Sequence, residues 1–380
     1  MTSRSFTSVA EVLAAYGIPI PATRQRIFAI HDPLKDLDDT VALVAAAGLH
    51  HAGLVEIVGA LGVLKPASVR ARALKGVFVE LGLPHIPVGV GSDITDKEWT
   101  FDYETCGYLA PEDSVIDGVE LLDGVLRDSN DLTLVVAAGM TDLAKNILRR
   151  GGNGALLGVN SIVIMGGVNV QKTADGFAVI LDKDGYMTPD TAANNAFDPE
   201  AAATVYRFCQ EVGIPLTILT REAAYACQVN LGEFYTAMAA TGSPIGHHLV
   251  NAQAPSLRAL FASACEPEGG ELRGKLPMRC DRTWFIATFC QGNDPGETTD
   301  IWPHVTAGQA YDLMAFLASV PAIRNRFFSP ILEVVDDTFH EVIGLNQSWD
   351  NGEVADVDGL RNFMHELCIA TLLEHQRRTA

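Results

Sequence analysis

"IFAIHDPLKDLDDTVALVAAAG", residues 27–48, joins one apolar run to another through a turn that carries four aspartates. The first run, residues 27–32, has the length and composition of a buried strand, and the second begins a helical pattern. A strand that leads through a polar turn into a helix is the repeating unit of parallel sheets covered by helices. This stretch therefore predicts an α/β unit.

The chain repeats the same alternation downstream. Further strand candidates cover residues 54–59, 86–91, 132–138, 161–166 and 215–219, with longer helical patterns between them. Such alternation predicts an α/β fold with a mostly parallel central sheet and helices on both faces. Because no internal repeat or low-complexity linker divides the chain, we expect an N-terminal segment over residues 1–22 and a single domain over residues 23–380.

The composition excludes several classes of partner. A formal net charge of -20 argues against nucleic acid, since affinity for nucleic acid comes from clustered Lys and Arg. The seven cysteines have no C-x-x-C spacing, which favours a reducing cytoplasm over a disulfide framework or a zinc site. No apolar run reaches the roughly 18 residues of a membrane span, and the first residues lack a secretory pattern. We expect a soluble cytoplasmic protein whose partner is a small molecule or a protein.

The turn itself crowds Asp32, Asp36, Asp38 and Asp39 against apolar sequence. Like charges repel and burial disfavours ionised carboxylates, so a bound cation would resolve the conflict. Carboxylates are hard ligands suited to Ca²⁺ or Mg²⁺, although the spacing does not fit an EF-hand loop. The alternative is that Asp38 and Asp39 cap the following helix. Ligands of open α/β sheets bind beyond the carboxyl ends of strands, which is where this turn lies.

Five stretches together resemble a known family, the calcium-dependent nucleoside hydrolases of the inosine-uridine-preferring type. The loop HDPLKDLDD resembles the family's D-x-D-P-G-x-D-D, and SIVIMGGV at residues 161–168 resembles its I-V-x-M-G-G. LTLVVAAGMTDLA at residues 132–144 resembles V-x-x-T-G-P-L-T-N-x-A, and GYMTPDTAANNAFDPEAA at residues 185–202 resembles G-N-x-T-P…N-x-x-x-D-P-E-A-A. CDRTWFIATF at residues 280–289 stands where the family has His-Asp and a helix. The order of the stretches is that of the family.

The resemblance implies a Ca²⁺ ion that holds a water for attack on the anomeric carbon of a ribose-containing nucleoside or nucleotide. Asp39 matches the family's bidentate metal ligand, and Asp38 matches the aspartate that holds both metal and ribose hydroxyls. Asp281 matches the distant metal ligand, and Ala138 matches the residue that contributes its backbone carbonyl. A hard cation lowers the pKa of its water, and a carboxylate takes the proton.

The same resemblance leaves the identity of the catalytic base open and implies fewer contacts to the sugar than in the family. The loop is two residues longer than the family's, so either Asp32 or Asp36 matches the carboxylate that deprotonates the water. Asn194 matches the asparagine on the sugar, whereas Tyr186 replaces another of the family's polar sugar ligands. Cys280 replaces a His that protonates the leaving base in some members, and a thiol is the weaker acid at neutral pH. Two further sugar ligands of the family are replaced by Ala60 and Ala192.

Within the family, the enlarged loop and residues 68–93 resemble the nucleoside-hydrolase-like type III effectors of plant-pathogenic bacteria. That likeness implies secretion into a host cytosol and a host protein as a further partner. Two hypotheses follow: an N-glycosidase with poor activity on common nucleosides, or a catalytically weak protein that binds a nucleotide-like ligand. Lys35, together with Arg221, would bind a phosphate of such a ligand; the alternative is that Lys35 neutralises neighbouring carboxylates at the surface.

Overall fold

The computed structural model describes residues 6–34, 37–94, 107–151, 154–174, 176–276, 278–298, 300–335, 337–345 and 352–379. The strands are β1 (Gln25–His31), β2 (Val55–Gly62), β3 (Val88–Val90), β4 (Ile116–Asp117), β5 (Leu132–Ala137), β6 (Val159–Gly166), β7 (Val170–Thr173), β8 (Gly176–Val179), β9 (Leu216–Thr220), β10 (Ile331–Val335) and β11 (Thr338–Ile343).

The helices separate most of the strands in the first half of the chain. They are α1 (Val9–Ala15), α2 (Asp38–His51), α3 (Ala67–Glu80), α4 (Gly118–Asp128), α5 (Thr141–Arg150), α6 (Ala193–Ala196), α7 (Pro199–Val212), α8 (Arg221–Ala226), α9 (Leu231–Ala240), α10 (Pro244–Cys265), α11 (Arg282–Phe289), α12 (Tyr311–Ser319), α13 (Pro321–Phe327) and α14 (Val357–Thr379). Helices α8 to α13 follow one another between β9 and β10.

A mixed sheet forms the centre of the part of the chain that is described. Its strand order is β10-β11-β9-β6-β5-β1-β2-β3-β4, and every pair is parallel except the β10–β11 hairpin. The predicted α/β fold with a mostly parallel sheet is confirmed. The chain runs outward from β1 through β2, β3 and β4, and then from β5 in the opposite direction. The switch point between β1 and β5 is where such sheets bind ligands.

Helices cover both faces of the sheet because alternate residues of each strand point to opposite sides. In β1, Ile27 and Ala29 pack into the core that contains α2, α12 and α14. Phe28 and Ile30 pack into the core that contains α4, α5 and α7. A strand that is apolar at every position is therefore buried on both faces, as expected of a parallel sheet.

The structure differs from the sequence-based expectation at several element boundaries. The strand expected at 54–59 continues to Gly62, and the one expected at 86–91 is reduced to Val88–Val90. The hairpin of β10 and β11 was not expected. Part of the segment 1–22 forms α1, and α1 buries Val9, Val12 and Leu13 against the same core as α14. Within the described ranges, no helix has the length and apolar composition needed to cross a membrane.

Candidate active site

Three aspartates of one turn and a fourth from a distant helix meet at the carboxyl end of β1. Asp32 directly follows the strand, Asp38 and Asp39 open α2, and Asp312 lies in the first turn of α12. All four line one cavity of about 250 Å³. Residues at the ends of β5 and β6 complete its floor, so the cavity lies at the switch point of the sheet.

Hydrogen bonds hold this acidic cluster together. His31 Nδ1 lies 2.7 Å from Asp39 Oδ1, and the backbone N–H of Asp32 donates to the same oxygen at 3.3 Å. The N–H of Asp312 donates to Asp38 Oδ2 at 3.3 Å. One ligand atom from each of His31, Asp39 and Asp312 lies within 4.8 Å of the others. The group therefore has the donors and the spacing to hold a metal ion.

The electrostatics of the cluster are unfavourable without a cation. Burial, followed by the charges of Asp38 and Asp39, raises the pKa of Asp312 well above its usual range. Asp38, Asp39 and Asp312 are 7%, 2% and 6% exposed, so solvent does little to screen their repulsion. A divalent cation would favour the ionised form of each carboxylate and reverse this penalty.

A buried arginine supports the loop that carries Asp32. Arg70 of α3 is fully buried, and its Nη1 donates to the backbone carbonyl oxygens of Asp32 and Pro33. The next residue, Leu34, has a φ of +91°, in the left-handed region that favours glycine. Leu34 stands where the family motif D-P-G has its glycine, so this loop stores strain that the Arg70 hydrogen bonds help to hold.

The opposite wall of the cavity carries the candidate ligand contacts. Asn194, in the short helix α6, donates from Nδ2 to the Met165 carbonyl at 3.0 Å, which fixes its amide at the cavity. Arg221 opens α8 and pairs with Glu222 at 3.2 Å. Three aromatic side chains border the remaining space; they are Phe197, Tyr225 and Tyr311. Carboxylates, one amide, one guanidinium and aromatic rings thus surround one small volume.

The structure brings some of the sequence-predicted site residues together. Asp32, Asp38, Asp39 and Asn194 line the cavity. Ala137, at the end of β5, lines it directly, and the buried Ala138 comes one residue later. Asp36 and Lys35 lie outside the described residues.

Other sequence-predicted site residues lie elsewhere. Asp281 is exposed and caps α11, where its Oδ1 accepts the Trp284 N–H at 2.8 Å. Neither Asp281 nor Cys280 is among the described residues that line the cavity. Tyr186 borders a different cavity, with the Arg207 guanidinium 4.0 Å from its ring centre. Among the described residues, Asp312 is therefore the distant acidic residue that reaches the cavity, whereas Asp281 is exposed at the start of α11.

A signal in the sequence distinguishes these two aspartates. Both stand at the start of helical sequence that contains apolar residues, which is why Asp281 resembled the family's distant ligand. The helix that contains Asp312, YDLMAFLAS, is apolar around almost its whole circumference, whereas RTWFIATF after Asp281 is not. A helix that is apolar on all sides must be internal. Every residue from Asp312 to Ser319 is buried, and the helix carries its first-turn carboxylate to α2.

The chain is similar to one family model and to several solved structures. The family model described as inosine-uridine preferring nucleoside hydrolase matches residues 29–288. The solved structure of the type III effector protein XopQ complexed with adenosine diphosphate ribose is 32% identical, with 96% of this chain and 99% of that chain covered and a TM-score of 0.80. The effector protein XOO4466 is 31% identical, with 96% and 98% covered and a TM-score of 0.78.

A more distant structure shares the fold alone. The purine-preferring ribonucleoside hydrolase from Gardnerella vaginalis is 14% identical, with 92% of this chain and 99% of that chain covered and a TM-score of 0.53. No curated protein matches the chain. The matched family segment ends before Asp312, so the family model gives no information on this carboxylate. The structure shows that it lines the cavity.

Proposed function

Since this chain belongs to the inosine-uridine preferring nucleoside hydrolase family, we propose that its acidic cavity binds a divalent cation together with a ribose-containing nucleotide. The observation that carries the proposal is the convergence of Asp32, Asp38, Asp39 and Asp312 on one cavity beside Asn194. Burying ionised carboxylates next to one another destabilises the folded protein unless a cation lies between them.

The donor set fits Ca²⁺, the ion that the family resemblance implies. Calcium takes six to eight oxygens, at roughly 2.3–2.6 Å, and carboxylates are its usual protein ligands. Asp38, Asp39 and Asp312 would hold the ion, with a backbone carbonyl from the end of β5. When bound, the ion would lower the pKa of water and polarise ribose hydroxyls. Burial and the charges of Asp38 and Asp39 raise the pKa of Asp312, and a nearby cation would lower it, which supports this assignment.

The residues around the ion support cleavage of an N-glycosidic bond. Asp32 lines the cavity next to the proposed ligands and is the described candidate for the base that takes a proton from the attacking water. The water oxygen bonds to the anomeric carbon as the bond from that carbon to the base nitrogen breaks. The nitrogen keeps the bonding pair and takes a proton from solvent, and Asp32 later returns its proton to solvent. Negative charge around the sugar favours the cationic, oxocarbenium-like transition state. Asn194 would orient a ribose hydroxyl.

A phosphorylated ligand suits the cavity better than a plain nucleoside. Arg221 supplies positive charge at the wall opposite the carboxylates, and guanidinium groups recognise phosphate by paired hydrogen bonds. The XopQ structure contains adenosine diphosphate ribose, a ligand with a ribose and a diphosphate. We infer that the ribose lies at the acidic cluster and a phosphate at Arg221, with the aromatic rings against the remaining apolar part.

One observation favours binding without efficient turnover as the second candidate. Ala192 lines the cavity where the family has a glutamate, so no side chain there reaches the sugar. Tyr186 and Cys280, which replace two other family ligands, border other parts of the molecule. In this alternative the protein is a host-delivered effector that binds the nucleotide in the host cytosol and presents a surface to a host protein.

The test compares binding and hydrolysis in one preparation. Isothermal titration with adenosine diphosphate ribose, adenosine monophosphate and adenosine, each with calcium and with EDTA, gives the ligand class. Adenine release from the same compounds gives turnover. We expect calcium-dependent binding of the phosphorylated ligands that the Asp38→Ala/Asp39→Ala double variant loses. Binding that ignores both calcium and these substitutions would refute the proposed site.

A further inference from the structure

His31 is a buried polar residue of the group that has the spacing to hold a metal ion, but the proposed function gives it no role. It is the last residue of β1, it is 0% exposed, and it lies on the strand face that packs against α2. Its Nδ1 lies 2.7 Å from Oδ1 of Asp39, which is itself 2% exposed. An imidazole is therefore enclosed behind a proposed metal ligand, in direct contact with its carboxylate.

The contacts determine which role His31 takes. An ionised carboxylate only accepts hydrogen bonds, so Nδ1 carries the hydrogen that joins His31 to Asp39. The other ring nitrogen, Nε2, is buried and has no hydrogen-bond partner among the residues that the structure describes. A histidine that ligates a metal through one nitrogen almost always donates the other N–H to an acceptor. Asp39 is such an acceptor for the Nδ1–H of His31, but His31 is not among the described residues that line the cavity, so its position is that of a donor to the ligand.

On the basis of the proposed function, we infer that His31 is a positioning residue that fixes the Asp39 carboxylate for the cation. Two donors converge on Asp39 Oδ1, the His31 imidazole and the backbone N–H of Asp32. Together they determine the rotation of the carboxylate about its own axis before any ion arrives. A preorganised ligand loses less conformational freedom when the ion binds, so His31 raises the affinity for the cation without touching it.

The inference predicts an ordered series of His31 variants. His31→Leu keeps an apolar volume but removes the donor, and loss of such a partner typically weakens metal affinity about 10–100-fold. His31→Asn places its amide N–H close to the position of Nδ1, so it should retain affinity within a few fold of wild type. His31→Gln places its amide near the position of Nε2 and should bind calcium as weakly as the leucine variant.

A second buried histidine provides the matched control. His340 of β11 is also 0% exposed, and its Nδ1 accepts the Leu216 N–H at 3.1 Å, away from the cavity. His340→Leu should lower the melting temperature in EDTA yet leave the calcium dissociation constant unchanged. This control separates the loss of stability that follows removal of any buried histidine from a specific loss of calcium affinity.

The experiment is isothermal titration of calcium into the full chain, in wild type and the four variants, with melting temperatures recorded in EDTA. Weak binding by the leucine and glutamine variants with rescue by asparagine would support the inference. Unchanged calcium affinity in the His31→Leu and His31→Gln variants would overturn it while leaving the proposed function intact. Wild-type protein that binds no calcium would overturn both, so the two failures are distinguishable.

Discussion

Replacing Asp312 by asparagine should make the metal-free protein more stable. The folded-state pKa of Asp312 is raised by burial and by Asp38 and Asp39, so the ionised form destabilises the folded protein at neutral pH. This penalty is absent below the unfolded-state pKa of about 4 and grows as the pH rises above it. Each unit by which the folded-state pKa exceeds the unfolded value costs about 1.4 kcal/mol.

These energies translate into measurable melting temperatures. At about 2.1 cal/mol/K per residue, unfolding a chain of 380 residues has an entropy of about 0.8 kcal/mol/K. Each unit of pKa shift relieved by Asp312→Asn should therefore raise the melting temperature in EDTA by about 2 K. Calcium at a hundred times its dissociation constant stabilises a binding protein by about 2.7 kcal/mol, or about 3 K here. The variant should lose that response.

The assay is thermal unfolding followed by circular dichroism, with EDTA or calcium, between pH 4.5 and 8. Asp281→Asn is the matched control, because asparagine caps a helix as well as aspartate does and the calcium response should survive. The reasoning is refuted if Asp312→Asn is less stable than wild type in EDTA at pH 7.5, or if it keeps the full calcium response while Asp281→Asn loses it.

Three further outcomes are expected. Burial lowers the pKa of His248 to about 4, and Tyr108 Oη lies 2.7 Å from its Nδ1. The associated stability, up to about 3 kcal/mol, is present above pH 6.5 and lost as the pH falls towards 4. Urea midpoints should therefore decline over that window less steeply in His248→Asn than in wild type, and equal slopes would contradict the assignment. Arg70→Met removes charged hydrogen bonds to the carbonyls of Asp32 and Pro33, each worth about 1.5–3 kcal/mol. The urea midpoint should fall accordingly, and a midpoint equal to that of wild type would show that this support is dispensable. Plain inosine and uridine should be hydrolysed slowly, because the lost sugar contacts together cost a thousandfold or more at about 1.4 kcal/mol per decade; a kcat/KM near 10⁴ M⁻¹s⁻¹ would restore a conventional nucleoside hydrolase.

The fold followed from local patterns because those patterns report burial on both faces. The apolar residues of β1, from Ile27 to Ile30, could only belong to an internal strand, and the helical patterns between strands required a parallel sheet. The β10–β11 hairpin was not predicted because it lies at the sheet edge, where Leu332 and Phe339 are 57% and 62% exposed. Edge strands lack the two-sided burial that makes a strand recognisable.

The site was predictable only where its residues are close in sequence. Asp32, Asp38 and Asp39 share one turn, and their crowding against apolar residues favoured a cation over helix capping by Asp38 and Asp39. Asp312 comes from a helix about 270 positions later, and its approach depends on how α12 packs against α2. Local spacing does not encode that packing, although the all-round apolar composition of the Asp312 helix is a signal that the helix after Asp281 lacks.

The proposed function requires a cation held between α2 and α12. The most direct test is a crystal of the full chain grown with calcium and adenosine diphosphate ribose, with the ion located by its anomalous signal. We expect one calcium ion in contact with Asp38, Asp39 and Asp312, and a ribose of the ligand against it. An ion bound at Asp281, or a ribose bound in a cavity that holds no ion at saturating calcium, would contradict the account.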